Sequence, residues 1–156
     1  MGMIRQKALA GAVALAVAMG FVAGCSQMSQ MMGGDKSESG GRAEQVTLSG
    51  RNEVPSADTP ATGSATVTVN SDRSVTARVT VSGMAATAAH IHQGARGANG
   101  PVIVPFTKSG DNTFVAPSGA KMTEEQYAAY KAGNTYVNVH SAKNPAGEIR
   151  GQLRGN

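Results

Sequence analysis

The feature that most constrains this chain is the recurrence of apolar residues at every second position. Residues 75–82 (VTARVTVS) carry an aliphatic side chain at each odd position and a polar one at each even position. Successive side chains of a strand point to opposite faces, so this segment predicts a strand with one buried face. Similar alternation is found in segments 46–48, 65–69, 135–141 and 148–153. Short alternating strands with glycine-rich turns predict an all-β domain, an antiparallel sandwich or Greek-key barrel.

One segment departs from this pattern and predicts a short helix. Thr123 is followed three residues later by Gln126, which is the spacing of a capping box at a helix amino terminus. Gly133 is placed to end the helix. Residues 102–104 (VIV) predict a further short strand, because they follow an Asn-Gly-Pro turn signal.

The amino terminus has the layout of an export signal. Arg5 and Lys7 form a short positive region, and residues 8–22 are an uncharged apolar stretch of 15 residues, too short to span a bilayer comfortably. The stretch ends in Val-Ala-Gly before Cys25, which resembles the bacterial lipobox. The resemblance implies cleavage before Cys25 and acylation of that cysteine, and each buried CH₂ of the acyl chains would contribute about 0.8 kcal/mol to anchoring. A plain secretory signal with an incidental cysteine is the alternative.

These features predict three parts: a signal peptide (1–24), a lipidated flexible linker (25–44) and a β-domain (45–156). The linker is rich in Ser, Gly and Met and has no apolar period, which is typical of a tether. We therefore expect an exported protein that is attached through acylated Cys25 to the lipid membrane of the bacterial cell envelope. The residue after the cysteine is Ser26 and not aspartate, which resembles outer-membrane sorting in enteric bacteria.

Charge and cysteine content narrow the classes of partner. Without Arg5 and Lys7, the 14 basic residues fall to 12 against 10 acidic ones, a net charge of +2, and no run of Lys or Arg is present. Such a balance argues against nucleic acid as a partner. Because Cys25 is the only cysteine, no internal disulfide is possible. The domain must be stabilised by packing, or by a bound metal.

The three histidines of the chain are the candidate metal ligands. His90 and His92 flank Ile91 and share one face of a predicted strand, with Cα atoms about 6.6 Å apart. In the segment 137–140 (VNVH) the valines face the core, so Asn138 and His140 face away from it. If the two strands are neighbours, all three imidazoles converge outside the aliphatic core. Copper or zinc would suit such imidazole ligands.

Glu148 is a candidate fourth ligand or hydrogen-bond partner of a ligand, because a hairpin through residues 144–147 would bring it opposite His140. A metal-free interpretation stays open beside this one. In it, Glu53, Asn138, His140, Glu148 and Arg150 form a structural polar network. Neither a serine or cysteine nucleophile nor a carboxylate pair with acid–base spacing accompanies the histidines, so the residues themselves do not favour an enzyme.

Several motifs together resemble a known domain family. Residues 48–55 (LSGRNEVP) resemble its opening, 89–94 (AHIHQG) and 99–102 (NGPV) its centre, and 136–141 (YVNVHS) and 147–153 (GEIRGQL) its close. The family is the CHRD domain, first described in chordin and widespread in bacterial exported proteins.

The resemblance covers about residues 46–153 and implies an immunoglobulin-like β-barrel distantly similar to Cu/Zn superoxide dismutase. Three hypotheses on function follow. The first is a tethered binding or structural module that holds copper or zinc through His90, His92 and His140. The second is a dismutase-type redox enzyme, although three histidines are too few for separate copper and zinc sites. The third is a metal-free adhesion or envelope-assembly domain with protein partners in the envelope that the sequence does not identify.

Overall fold

The structure, a computed structural model, describes residues 40–155. The predicted signal peptide, Cys25 and all but the last residues of the predicted linker lie outside the described residues. Within the described residues, no helix is both long and apolar enough to cross a membrane.

The described chain is built almost entirely of strands. The strands are β1 (Glu44–Ser49), β2 (Thr62–Val69), β3 (Val75–Ser82), β4 (Ala86–Gln93), β5 (Val102–Pro105), β6 (Thr107–Gly110), β7 (Thr113–Val115), β8 (Thr135–Ser141) and β9 (Ile149–Leu153). A 3₁₀ turn (Gly50–Asn52) follows β1, and one α-helix, α1 (Glu124–Lys131), precedes β8. The predicted all-β class with one short helix is confirmed.

All strand pairs are antiparallel, in the order β5-β4-β8-β9-β1-β2-β3-β7-β6. The two ends of this sheet, β5 and β6, are consecutive in the chain and are separated only by Phe106. One extended segment therefore pairs with β4 at its start and with β7 at its end, and the Phe106 N–H donates to the Ala89 carbonyl at 3.0 Å. The sheet is thus a nearly closed barrel, which leaves few unpaired strand edges.

The aliphatic faces of the strands fill the barrel. Val75, Val79 and Val81 of β3 are buried, while Thr76 and Thr80 between them are exposed, as the alternation predicts. Among the described residues, two aromatic side chains, Phe114 and Tyr130, belong to the buried aliphatic cluster, and Phe106 and Tyr127 pack against it partly buried. The core is therefore built mainly from Val, Ala, Ile and Leu.

The helix has the predicted capping box. The Thr123 hydroxyl accepts from the Gln126 N–H, and the Gln126 side chain accepts from the Thr123 N–H. Gly133 has a φ of +73°, the left-handed conformation that terminates many helices. Tyr130 on the last turn is fully buried and attaches the helix to the barrel.

Two short strands, β6 and β7, were not predicted. All four residues of β6 are exposed, and β7 has only three residues around the buried Phe114. A strand with no buried face has no alternation to detect, because its pairing comes from the closure of the barrel and not from its own side chains.

The outer face of β4, β8 and β9 is itself covered by two loops. The loop 94–101 packs over β8 and β9, and the loop that follows β1 meets it where the Asn99 amide donates to the Val54 carbonyl at 2.7 Å. The Asn52 amide donates to the Arg150 carbonyl at 3.0 Å. These loops create a second, polar buried layer outside the barrel, and the histidines lie at its margin.

Candidate metal centre

The three histidines lie on one face of two neighbouring strands. In the register of β4 and β8, His90 pairs with Asn138 and Ala88 pairs with His140. Ile91 and Val139, on the opposite face, are fully buried in the core. The structure therefore brings together the three histidines on the outer face of the barrel, as the alternation of the two strands predicts.

Their ring nitrogens form a compact group. His90 Nδ1 lies 3.0 Å from His140 Nε2. One nitrogen from each of the three rings lies within 4.8 Å of the other two. The centroid of the His90 ring lies 4.8 Å from that of the His140 ring and 5.5 Å from that of the His92 ring.

Two backbone carbonyls fix the tautomers of His92 and His140. His92 Nδ1 is 2.9 Å from the Gly100 carbonyl, and His140 Nδ1 is 3.0 Å from the Pro145 carbonyl. A carbonyl only accepts, so each Nδ1 carries the hydrogen and each Nε2 keeps a lone pair. A backbone carbonyl on the far nitrogen is the usual way in which proteins orient a metal-binding histidine.

His92 supplies the observation that most favours a bound ion. Its side chain is buried, and its Nε2 atom makes no hydrogen bond of normal geometry among the described residues, although the Asn138 side chain lies close enough to favour the protonated ring. A buried polar atom without a partner is costly unless an ion or a water satisfies it. Because His92 Nδ1 is bonded to Gly100, Nε2 is the nitrogen that His92 can offer to the group of three rings, and the donor set fits a metal cation.

All three imidazoles are held in the neutral form that a metal requires. Burial, together with the charges that His140 and His92 would carry, lowers the pKa of His90 from 6.5 to about 4. Burial also lowers the pKa of His92 and of His140. The Gly100 carbonyl and the Asn138 side chain act in the opposite direction on His92, and the Pro145 carbonyl does so on His140. At neutral pH no proton competes for these lone pairs.

The spacing is close to that of ligands on one ion. Two nitrogens at about 2.0–2.1 Å from a zinc ion are separated by about 2.9–3.4 Å when the angle between them is 90–110°. The separation of His90 and His140 falls in that range. All three nitrogens lie within 4.8 Å of one another, which is comparable with the limit of about 4.2 Å for two nitrogens on one zinc ion.

The comparisons with known proteins give the family. The family model of the CHRD domain matches residues 45–153. The chain belongs to the CHRD domain family. Searches of curated proteins and of solved structures found no match to this chain. The matched range contains every strand from β2 to β9, all but the first residue of β1, and all three histidines.

Glu148, the predicted fourth ligand, is engaged elsewhere in this CHRD domain. Its Oε1 atom accepts from the Thr59 hydroxyl at 2.6 Å, and its Oε2 atom accepts from the Ser141 hydroxyl. Burial raises the pKa of Glu148, but the hydrogen bonds from Ser141, Thr59 and Asn144 outweigh it and hold the pKa below its ordinary value. Glu148 lies outside the group of three histidines, and it ties β9 to β8 and to the loop before β2.

Arg150 is the centre of the polar layer of the CHRD domain. Its guanidinium lies over the ring of Tyr136, with Cζ 3.3 Å from the ring centroid, and Tyr136 stacks on His92 with centroids 4.9 Å apart. The sequence had pointed to Arg150 but not to Tyr136. The period of β8 was the available signal, because it places Tyr136 on the same face as Asn138 and His140.

Glu53 and Asn138 form the other part of this layer. Both are buried, and Glu53 Oε1 and Asn138 Oδ1 lack hydrogen-bond partners among the described residues. Burial raises the pKa of Glu53 to about 7, although the charge of Arg150 and hydrogen bonds from Asn138 and from the Val54 backbone oppose it. The three predicted polar residues, Glu53, Asn138 and Arg150, are therefore neighbours in the structure, beside the histidines.

Proposed function

We propose that this CHRD domain is a binding module that holds one copper or zinc ion through His90 Nδ1, His92 Nε2 and His140 Nε2. The observation that carries the proposal is the buried Nε2 atom of His92, which makes no hydrogen bond of normal geometry on a ring that is grouped with those of His90 and His140. The fixed tautomers and the lowered pKa of each histidine support it, because they present three neutral donors at neutral pH.

Copper and zinc are the metals that three imidazoles suit best, and Cu²⁺ has the higher intrinsic affinity for a given nitrogen site. None of the three ligands carries a negative charge, and Glu148 is occupied by Thr59 and Ser141. A fourth position on the ion would then be filled by water or by an external ligand. Such an open position is compatible with storage or transfer of the ion, and it also makes redox chemistry worth testing.

The domain acts, in this proposal, on the outer side of a bacterial membrane. The positive region, the short apolar stretch and the lone Cys25 at its end support export and acylation. The Gly41 N–H donates to the Asn70 side chain at 2.7 Å, so the linker meets the barrel beside the turn between β2 and β3. Radiolabelled palmitate should enter the wild-type protein in bacteria, and Cys25→Ala should abolish both labelling and membrane association.

A metal-free structural domain is the second candidate. It is favoured by the contacts of Arg150, whose nitrogens donate to Asn99, Ala95, Ala98 and Gln152, all of them protein acceptors. The short contact between His90 and His140 also fits an N–H···N hydrogen bond between neutral rings. In this candidate the outer face is a rigid surface for an envelope protein partner.

Elemental analysis separates the two candidates. Residues 25–156 with Cys25→Ser, purified without a histidine tag, should contain about one copper or zinc ion per chain after titration and desalting. Chelation should then lower the melting temperature, because a ligand that binds only the folded state stabilises it. A chain that retains no metal and melts at the same temperature with and without added copper or zinc would support the metal-free domain. A superoxide assay of the copper-loaded chain against free copper tests the dismutase hypothesis.

A further inference from the structure

We infer that Arg150 is a positioning residue for the metal site, because it holds His92 in place from two sides: through the loop 94–101 and through the ring of Tyr136. The role of the ion in this inference rests on the proposed function. The contacts that position His92 involve protein groups only, so they can be tested separately from metal binding.

Arg150 is a buried cation that has no ion pair. Its side chain is 1% exposed, and among the described residues no carboxylate oxygen lies within 4.0 Å of its nitrogens. Removing a charge from water costs several kcal/mol unless fixed polar groups replace the solvent. The guanidinium therefore depends on the neutral acceptors around it, and those acceptors are in turn held in place by it.

Most of these acceptors belong to the loop 94–101. The guanidinium donates to the carbonyls of Ala95 and Ala98, at 3.2 and 2.8 Å, and to Asn99 Oδ1 at 3.2 Å. The next residue, Gly100, provides the carbonyl that accepts from His92 Nδ1. A Cβ atom on Gly100 would lie 1.6 Å from the Gln93 carbonyl oxygen, so the loop is pressed directly against the end of β4. Arg150 thus fixes the loop that fixes the tautomer of His92.

The second connection is a stack of three planar groups. Because β8 lies between β4 and β9 in the sheet, Tyr136 lies between His92 and Arg150. The rings of His92 and Tyr136 are 10° from parallel, and the guanidinium lies over the Tyr136 ring. The Gly100 N–H also donates to the Tyr136 hydroxyl at 3.3 Å, which joins the stack to the loop. A planar guanidinium fits such a stack, whereas a lysine ammonium does not.

The buried charge has a consequence that packing alone does not have. A positive charge beside a ligand of the ion favours the less positive oxidation state of a bound metal. If Arg150 acts as inferred, replacing it with a neutral residue should lower the Cu²⁺/Cu⁺ potential as well as the affinity. A residue that supports only the fold would change the melting temperature without this shift.

The test compares Arg150→Met and Arg150→Lys with the control Arg154→Met, in residues 25–156 with Cys25→Ser. Arg154 is exposed just beyond the carboxyl end of β9, so its substitution removes one positive charge without touching the stack. Asn99→Ala is a milder variant that removes one loop acceptor and the hydrogen bond to the Val54 carbonyl, and it is expected to fold even if Arg150→Met does not. Copper affinity is measured by competition with a chelator. The coordination geometry is followed by the EPR spectrum of bound Cu²⁺, and the Cu²⁺/Cu⁺ reduction potential is measured as well.

We expect Arg150→Met to bind copper about 10–100-fold more weakly, the usual cost of removing a group that orients a ligand. Its EPR spectrum should change and its potential fall. Arg150→Lys should regain the potential but not the affinity, Asn99→Ala should lose less affinity, and Arg154→Met should behave as wild type. Wild-type affinity, spectrum and potential in folded Arg150→Met and Asn99→Ala would overturn the inference and leave the metal site standing.

The tautomer of His92, measured in protein without added metal, tests the role of Arg150 independently of metal binding. Nitrogen NMR of the histidine rings should show His92 of the wild type as the Nδ1–H tautomer, and this preference should weaken in Arg150→Met and Asn99→Ala. If the wild type binds no copper or zinc, the proposed function fails, while the NMR result still decides whether Arg150 positions His92. An unchanged His92 tautomer in both variants would overturn the positioning role.

Discussion

His90 Nδ1 lies 3.0 Å from His140 Nε2, although the two residues are 50 positions apart in the chain. The contact exists because β4 and β8 are neighbours whose register places Asn138 opposite His90 and His140 two residues further along the same face. Two neutral rings at this distance are either hydrogen bonded or arranged to share an ion. These two states of the pair differ in whether the domain binds a metal ion.

Replacing His140 with glutamine should abolish stoichiometric copper or zinc binding, because only two of the three nitrogen donors remain. His140 is only partly buried, so the fold should survive the change. Metal content is measured by elemental analysis after desalting. Thr76→Ala, an exposed substitution on β3, serves as the control and should retain the ion. Full metal content in His140→Gln would exclude His140 as a ligand.

The histidines should make the metal-free domain less stable in acid. The folded protein keeps His90 neutral down to a pKa of about 4, whereas the unfolded chain takes up the proton near 6.5. Stability from this group is present above pH 6.5 and is lost as the pH falls towards 4. Urea unfolding of wild type and His90→Gln at several pH values measures the effect as a difference. A difference that does not change between pH 7.5 and 4.5 would contradict the lowered pKa.

Glu53 should have the opposite pH dependence. Its pKa is raised from 4.5 to about 7 in the folded protein, so its contribution to stability is present below pH 4.5 and is lost as the pH rises through 7. The change corresponds to about 3 kcal/mol at most. Glu53→Gln should therefore gain stability relative to wild type between pH 5 and pH 8, as measured by urea unfolding. Glu125→Gln, at an exposed position of α1, is the control and should give a constant difference.

Ile91→Val tests whether the core face of β4 and its histidine face are independent. Ile91 is fully buried between two histidines that point the other way, and the loss of one methylene from a core costs about 1 kcal/mol. The free energy of unfolding should fall by this amount, while the metal content of the loaded protein should stay at that of wild type. A loss of bound metal in this variant would mean that the core and the site are not independent.

Gly147→Ala should disturb the polar layer. Gly147 has a φ of +140°, and a Cβ atom there would lie 2.6 Å from Glu53 Oε1 and 2.8 Å from Asn138 Nδ2. Gly97 also has a positive φ, +80°, but a Cβ atom there meets nothing within 4 Å. Both alanine variants should be destabilised by about 1 kcal/mol or more for backbone strain, and Gly147→Ala by more, since the clash adds to the strain. Equal melting temperatures for the two variants would contradict a close approach at Gly147.

The sequence by itself determined which face the side chains of the alternating strands would take. A strand has a period of two, so Ile91 and Val139 placed the three histidines away from the core without any knowledge of strand neighbours. The capping box of α1 is equally local, because Thr123 and Gln126 contact each other within one turn. These features are properties of neighbouring residues, and they were predictable for that reason.

Only the tertiary structure decided what surrounds those side chains. The register of β4 against β8 brings His90 and His140 together, and loop carbonyls at Gly100 and Pro145 select the ring nitrogens that remain free. Glu148 lies beside His140 across β8 and β9, as expected, but its carboxylate accepts from the hydroxyls of Ser141 and of Thr59, 89 positions away in the chain, and makes no hydrogen bond to an imidazole of the described residues. Such contacts join distant segments through the closure of the barrel, and no local period or propensity encodes them.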